Sequence, residues 1–486
     1  LHWTIKLILV FTAMGLLLGW AEVLRRRREI EALFTRKVIH TAMGLVMLLA
    51  PVVFRTKYPV LLATAALFLI DLFVLRLSQR FNKEYATFGI LYYPVVLFVL
   101  TLLCWDNQIH VLMGAVCVMS FGDGFSALAG STLGRHRFTV TGDPKTLEGS
   151  LAMYAVSAVT LFPVLALYTR DPLLSLWTAL LVPIIATVVE AASSKGLDNV
   201  TVPLASGALI YYVFSHTSSP ALWLALSIPC SALLSATALA LGALTPTGAV
   251  AAFVVGTLIF AIGRVNGAMA LVAFFVTSSL LSRIRTTAKQ RAKTLSEKGA
   301  ARDLAQALAN GGVPLILLIA SMFNPCWWSY MFFLAALASA TADTWATEIG
   351  TLSGARPISL RNFARVPAGS SGAVSGLGTA AAVAGSCLIG LFGGFYGQTG
   401  GFNTFAFVTV SVSGFAGCVI DSILGATVQA QYSTCDGVLS EAEDAPLRLA
   451  KGVPWVRNDM VNFISSACAA VICWFIFLSL GPNFCQ

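Results

Sequence analysis

Apolar runs of roughly 20 residues, the length at which a helix crosses a hydrocarbon core, alternate with short polar breaks along the whole chain. They predict spans at 4–23, 38–54, 58–75, 88–104, 108–132, 149–168, 173–192 and 200–216, then at 221–243, 248–263, 267–282, 309–323, 327–350, 373–395, 403–430 and 461–480. The longest polar stretches, 283–308, 351–372 and 431–460, leave no room for a large soluble domain. The pattern predicts an all-α polytopic membrane protein of about 16 transmembrane helices, in two parallel modules of about eight each, 1–216 and 221–486.

Composition agrees. Apolar residues make up 57% of the 486 and charged residues 11%, against about 25% charged in soluble domains. A net charge of +9 could suggest nucleic acid, but its distribution points to the lipid bilayer instead. Arg25–Arg28 follow the first span and mark the cytoplasmic side. Alternating from there, 26 of the 31 Lys and Arg fall in cytoplasmic segments; the other five are Lys6, Arg55, Lys57, Arg170 and Arg264. Both termini then face outward. The ten cysteines, mostly within spans and without a CxxC pair, read as small apolar residues. No cleavage site follows the first apolar run, which is expected to be a retained anchor.

The densest chemistry lies in residues 120–150. Span five carries Asp123 after Gly122, a basic turn holds Arg135 and Arg137, and Lys145, Thr146 and Glu148 precede span six. An acid at membrane depth needs a cation, a proton or a partner. A lysine among glycines and small hydroxyls can hold phosphate. The same glycines also suit helix packing around an acid paired with a lysine. Upstream, Arg36, Lys37 and His40 stand at the mouth of span two, and Arg36 and His40 share a helix face. They read either as a positive-inside anchor or as phosphate-binding cations with His40 as donor or base. Glu190 ends span seven, and Asp198-Asn199 follow. These either complete a magnesium site or cap the next span.

The second half repeats this order. Its basic loop 283–308 reads as solvated, and Asn310 opens a span. Asp343 and Glu348 lie in the fifth span of this half, ahead of Arg356, Arg361, Arg365 and the Gly/Ser loop 369–376 with Ser375. Asp421 lies in the seventh span, and Asn458-Asp459 and Asn462 open the eighth. Each half therefore has an acid in its fifth span ahead of a basic Gly/Ser loop, and an Asp/Asn pair before its eighth.

RKVIH at 36–40, FGDGFSALAG at 121–130, GDPKTLEGS at 142–150 and GLDNVTVPL at 196–204 make the first half resemble the polyprenol kinase family, which includes phytol kinase and dolichol kinase. It is more distantly similar to phosphatidate cytidylyltransferase, whose long C-terminal signature is absent. NGGVP at 310–314, ADTWATEIG at 342–350, GAVSGLG at 372–378, DSILGATVQ at 421–429 and NDMVN at 458–462 make the second half resemble the membrane family that includes phytyl-phosphate kinase. The resemblance implies a fusion: CTP-dependent phosphorylation of an isoprenoid alcohol such as phytol or geranylgeraniol to the monophosphate, then to the diphosphate.

Phosphoryl transfer needs positioning and charge neutralisation more than covalent chemistry. On this reading Asp123 and Glu148, with Glu190 or Asp198, hold Mg²⁺ against CTP phosphates. Lys145 and Arg36 or Lys37 stabilise the transferred group, with Gly122, Arg135, Thr146 and Asn199 around the phosphates. Asp198 or His40 takes the alcohol proton. In the second half Asp343, Glu348, Asp421 and Asp459 serve the metal, and Asn310, Arg365, Ser375, Asn458 and Asn462 face phosphate. The expected setting is a prokaryotic cytoplasmic membrane or a plastid envelope, with both sites facing the cytoplasm. The alternatives are a CDP-lipid-forming cytidylyltransferase and a secondary transporter with parallel repeats.

Overall fold

The computed structural model describes residues 32–81, 89–215, 219–284, 301–323, 326–353, 356–396, 401–433, 439–440 and 448–480, together with Thr12, Gly15, Gly19, Thr286, Thr287 and Lys289. The expected first span and Arg25–Arg28 lie outside the described residues, apart from those isolated positions. The protein is an all-α polytopic membrane protein. Ten described helices are long and apolar enough to cross a membrane, and Lys37–Val53 and Gly89–Cys104 add shorter apolar helices. The chain divides into two compact units, Leu1–Ala225 and Leu226–Gln486.

Unit 1 contains α1 (Ala32–Val53), α2 (Tyr58–Phe81), α3 (Gly89–Cys104), α4 (Ile109–Cys117), a π-helical turn (Val118–Asp123), α5 (Gly124–Thr132), strands β1 (Arg137–Thr139) and β2 (Pro144–Thr146), α6 (Leu147–Thr169), α7 (Pro172–Ala192) and α8 (Asp198–Ser215). α9 (Pro220–Ala240) follows across the boundary. The α4–π–α5 rod is the core of the unit, and nearly every side chain from Val111 to Met119 is out of reach of solvent. It packs against α1, α6 and α8. Helix ends follow local chemistry. Arg170 closes α6 in the left-handed conformation, and the Asp171 carboxylate accepts from the Leu174 amide while Pro172 occupies the first turn of α7.

Unit 2 contains α10 (Pro246–Arg283), α11 (Leu304–Ser321), α12 (Trp327–Gly350), a 3₁₀ turn (Thr351–Ser353), β3 (Ile358–Ser359), β4 (Ala373–Val374), α13 (Gly376–Phe395), α14 (Thr404–Thr427), strands β5 (Gln431–Ser433), β6 (Leu439–Ser440) and β7 (Arg448–Lys451), and α15 (Asn458–Leu480). α12 is central, in contact with α11, α13, α14 and α15. Its stretch Phe333–Ala338 is fully buried. The expected spans 248–263 and 267–282 form α10, broken at Arg264 (φ 51, ψ −152). A Cβ on Gly267 would lie 3.2 Å from the Ile259 carbonyl. Eight residues of straight helix span about 12 Å, so the chain folds back at Arg264.

The small strands leave no mark on the apolar pattern. β1 and β2 form an antiparallel hairpin after the rod, and β3 pairs with β4 after α12. Each hairpin leads into a helix capped by its own hydroxyl. Thr146 accepts from the Gly149 amide at 3.1 Å, and Ser375 accepts from the Gly378 amide at 3.1 Å.

Candidate functional site

The site in unit 1 is built on a defect in the rod. The π-helical turn Val118–Asp123 interrupts the regular α-helix, a rare feature concentrated at functional positions. Glycines on either side of Asp123 let neighbouring helices close in. A Cβ on Gly122 would lie 2.1 Å from Ser157 Oγ, and one on Gly124 would lie 2.4 Å from Thr41 Oγ1. Thr41 Oγ1 donates to the Ser120 carbonyl at 3.0 Å, fixing α1 against the turn. Asp123, only 3% exposed, is thereby delivered to the cations of α1. Lys37 Nζ lies 2.6 Å from Asp123 Oδ2 and His40 Nε2 lies 3.9 Å from it. The His40 ring sits 4.5 Å from that of Tyr93, whose hydroxyl is 3.2 Å from Ser120 Oγ.

A second ion pair converges on the same place. β2 carries Lys145 to Glu190, at the buried end of α7. Burial opposes the Lys145 charge, but the Glu190 carboxylate outweighs it and holds the lysine above its ordinary pKa. The hairpin is tied down by Thr141 Oγ1, which donates to the Ala192 carbonyl at 2.7 Å, and by the Lys195 amide, which donates to Asp143 at 2.8 Å. Asp198 opens α8, and Asn199 Nδ2 holds that end of the helix by donating to the Gly89 carbonyl at 3.0 Å. Gly196, at φ 81, meets Gly89 so closely that a Cβ would lie 2.6 Å from the Gly89 Cα.

Together these contacts place one carboxylate oxygen from each of Asp123, Glu190 and Asp198 within 4.8 Å of one another, the one such cluster of ligand-type side chains among the described residues. Among the described residues, Lys37 and Lys145 pair with two of these three carboxylates, in a largely buried space. Hard oxygen donors with incomplete neutralisation fit Mg²⁺. Glu148 is placed elsewhere. Its carboxylate lies 2.7 Å from His136 Nδ1 and accepts from the His136 amide, beside a largely exposed ring. Arg135 is exposed, Thr146 is occupied as a helix cap, and the Arg36 side chain lies outside the described residues.

Unit 2 holds a polar cavity of about 360 Å³. Asp343 and Glu348 reach it from α12, Asp421 from α14, and Asn458, Asp459 and Asn462 from α15. Asn310 and Gln306 come from α11, and the Gly369–Ser375 loop closes another side. The acids are spread over this space rather than clustered. Ser465 Oγ donates to Asp421 Oδ2 at 3.0 Å, and Asn462, with its amide nitrogen toward the acid, donates to the same oxygen at 3.1 Å. Arg365 is exposed and does not line the cavity; its backbone bridges to Ile358.

The basic loop 283–308 is not simply solvated. Lys289 is 3% exposed and pairs with Glu348, which also accepts from Ser282 Oγ at 2.5 Å. Arg302 lines the cavity, with its guanidinium carbon 5.2 Å and 5.7 Å from the Phe274 and Phe275 ring centroids. A run of basic residues has no periodicity to show which ones turn inward. The one local signal is Asp303 with Gln306, a capping box that starts α11 and fixes the preceding arginine.

Residues 229–470 match the family described as integral membrane protein DUF92. The chain is similar to Phytol kinase of Synechocystis sp., 31% identical over 223 residues that cover 44% of this chain and 92% of that protein. It is similar to Protein PGR of Arabidopsis thaliana, 30% identical over 244 residues covering 45% of this chain and 84% of the relative. Protein VTE6, chloroplastic, from the same plant is 24% identical over 234 residues, 47% of this chain and 64% of that protein. No solved structure matches the chain significantly. The chain thus belongs to the phytol kinase-like family of integral membrane proteins, with a DUF92 region over residues 229–470.

Proposed function

We propose that the protein is an isoprenoid-alcohol phosphotransferase of the phytol kinase type, and that its two units carry out successive phosphorylations. Unit 1 transfers the γ-phosphoryl group of a nucleoside triphosphate, CTP by family resemblance, to a phytol- or geranylgeraniol-type alcohol. Unit 2 then phosphorylates the resulting monophosphate. The observation that carries this reading is the cluster Asp123, Glu190 and Asp198 flanked by Lys37 and Lys145.

Asp123 and Glu190 would hold Mg²⁺, which would supply charge neutralisation at the nucleotide phosphates, with Asp198 beside them. Lys145 and Lys37 stand ready to exchange a carboxylate contact for a phosphoryl oxygen. Asp198 has no ion-pair partner among the described residues, so it is the carboxylate free to take the alcohol proton. The alcohol oxygen bonds to the γ-phosphorus as the bond from that phosphorus to the β–γ bridging oxygen breaks. The nucleoside diphosphate leaves with that electron pair. In unit 2 the nucleophile is already an ionised phosphate oxygen, and no base is required.

The test uses purified protein in detergent with lipid, Mg²⁺, CTP and radiolabelled phytol or geranylgeraniol, with alcohol, monophosphate and diphosphate separated. Diphosphate together with CDP is the expected result. Monophosphate alone restricts the reading to unit 1. Pyrophosphate release in place of CDP would mark a cytidylyltransferase, and no phosphorylated product with any nucleotide would favour transport.

A further inference from the structure

Among the described residues, two cations of the basic loop reach the unit 2 cavity, and they differ in how they are held. Lys289 is committed to Glu348. Arg302 is not committed. Among the described residues no carboxylate lies within ion-pair distance of its guanidinium. The backbone around it is fixed, since its amide donates to the Ala243 carbonyl and its carbonyl accepts from the Thr245 amide. Its guanidinium rests on Phe274 and Phe275. A guanidinium over aromatic rings spends none of its N–H donors on a carboxylate, and its fork matches two oxygens of a phosphate. Burial lowers the Arg302 pKa to about 10 despite the opposing pull of Glu348, which still leaves it charged at neutral pH.

We propose that Arg302 anchors the phosphate of a phosphomonoester acceptor in the unit 2 cavity, so that this cavity selects an amphiphile that already carries phosphate. This rests on the reading of unit 2 as a phosphotransferase. The nucleotide also offers phosphate, but the surroundings favour the acceptor. α10, which carries Phe274 and Phe275, also bears Val276 and Leu280, large apolar residues that are exposed. An isoprenoid tail can lie along that apolar surface while its headgroup reaches Arg302; a nucleotide has no such tail. Among the described residues of unit 1, Lys37 and Lys145 are both paired with carboxylates.

Equilibrium binding to the full-length protein in detergent tests this, with geranylgeranyl monophosphate, geranylgeraniol and Mg–CTP as separate probes. Arg302→Gln should weaken monophosphate binding by about 10- to 100-fold, with alcohol and nucleotide binding changed less than about twofold. Arg302→Lys keeps the charge but loses the fork and should fall between the two. It carries the test if the glutamine variant does not fold, as judged by thermal unfolding. Unchanged monophosphate binding in a folded variant overturns the proposal, and so does a loss confined to CTP. Diphosphate formation is measured alongside. Arg302-dependent binding without diphosphate product would sink the kinase reading of unit 2 and leave the anchor standing. Diphosphate formation with Arg302-independent binding would do the opposite.

Discussion

The two units share a frame and differ in where they put positive charge. In each, a buried helix carries the acid, Asp123 or Asp343, seven residues before a glycine, Gly130 or Gly350. That glycine faces the glycine three residues after the next helix cap. A Cβ on Gly149 would lie 3.4 Å from the Gly130 Cα, and one on Gly350 would lie 3.2 Å from the Gly378 Cα. A β-hairpin lies between them in both, and Thr146 and Ser375 cap the following helix with the same bond. Just before the cap, however, unit 1 has Lys145 and unit 2 has Val374. Among the described residues, unit 1 draws its cations from α1 and the hairpin and pairs both with carboxylates. Unit 2 draws them from the segment after α10 and leaves Arg302 open. The helix crossing is therefore the common structural feature, and the placement of cations is where the two units differ.

The largest effect should separate the two sites. Asp123→Asn is expected to cut alcohol phosphorylation by about 10²–10³-fold and spare phosphorylation of supplied monophosphate; Asp343→Asn should do the reverse. Loss of both activities in both variants, each still folded, would break the comparison. Chelation of divalent cations should stop the unit 1 reaction, and Mg²⁺ should restore it. Asp198→Asn should lower the rate of the first step by about 10²–10⁴-fold with little change in the second, where no base is needed. Comparable losses in both steps would remove Asp198 from the role of proton acceptor.

Smaller effects test the frame itself. Gly122→Ala drives a Cβ into Ser157, and Gly372→Ala places one 2.1 Å from the Ala426 amide at φ 70. Each should cost about 1–3 kcal/mol and impair only its own unit's reaction, read by thermal unfolding and the two assays. The Lys145–Glu190 pair gives a pH signature. Because the lysine pKa is raised, its stabilisation is full below the unfolded lysine pKa of about 10.4 and is lost as pH rises through the higher folded value. Between pH 7 and 9 Lys145 should therefore add no pH dependence to the melting of the wild type. The smallest effect is expected at Glu148. Bound to the exposed His136 and away from the carboxylate cluster, it should tolerate Glu148→Gln with less than about a fivefold loss in the first step, since surface pairs are worth little.

Much of the unit 1 site is legible in the amino-acid sequence. Asp123, Lys145, Glu190 and Asp198 stand out because charge in or beside apolar runs is conspicuous, and the structure brings these four together. Glu148 stands out for the same reason, yet its side chain turns to His136, because the first turn of α6 points it away from the rod. The π-helical turn has no signature in the apolar pattern. Lys289 and Arg302 are hidden among the other basic residues of their loop, where composition cannot tell a solvated lysine from one that folds back onto Glu348.

The sequence by itself determined that this chain lives in a bilayer as a series of helices. In lipid every backbone amide and carbonyl must be satisfied within its own segment, so long apolar runs have no alternative to the helix. The tertiary structure decided which charges meet. Lys37 and Asp123 are 86 residues apart, and Lys145 and Glu190 are 45 apart. Such pairs form only where helix packing, set by glycines at the crossings and by one irregular turn, brings distant segments within reach of a side chain.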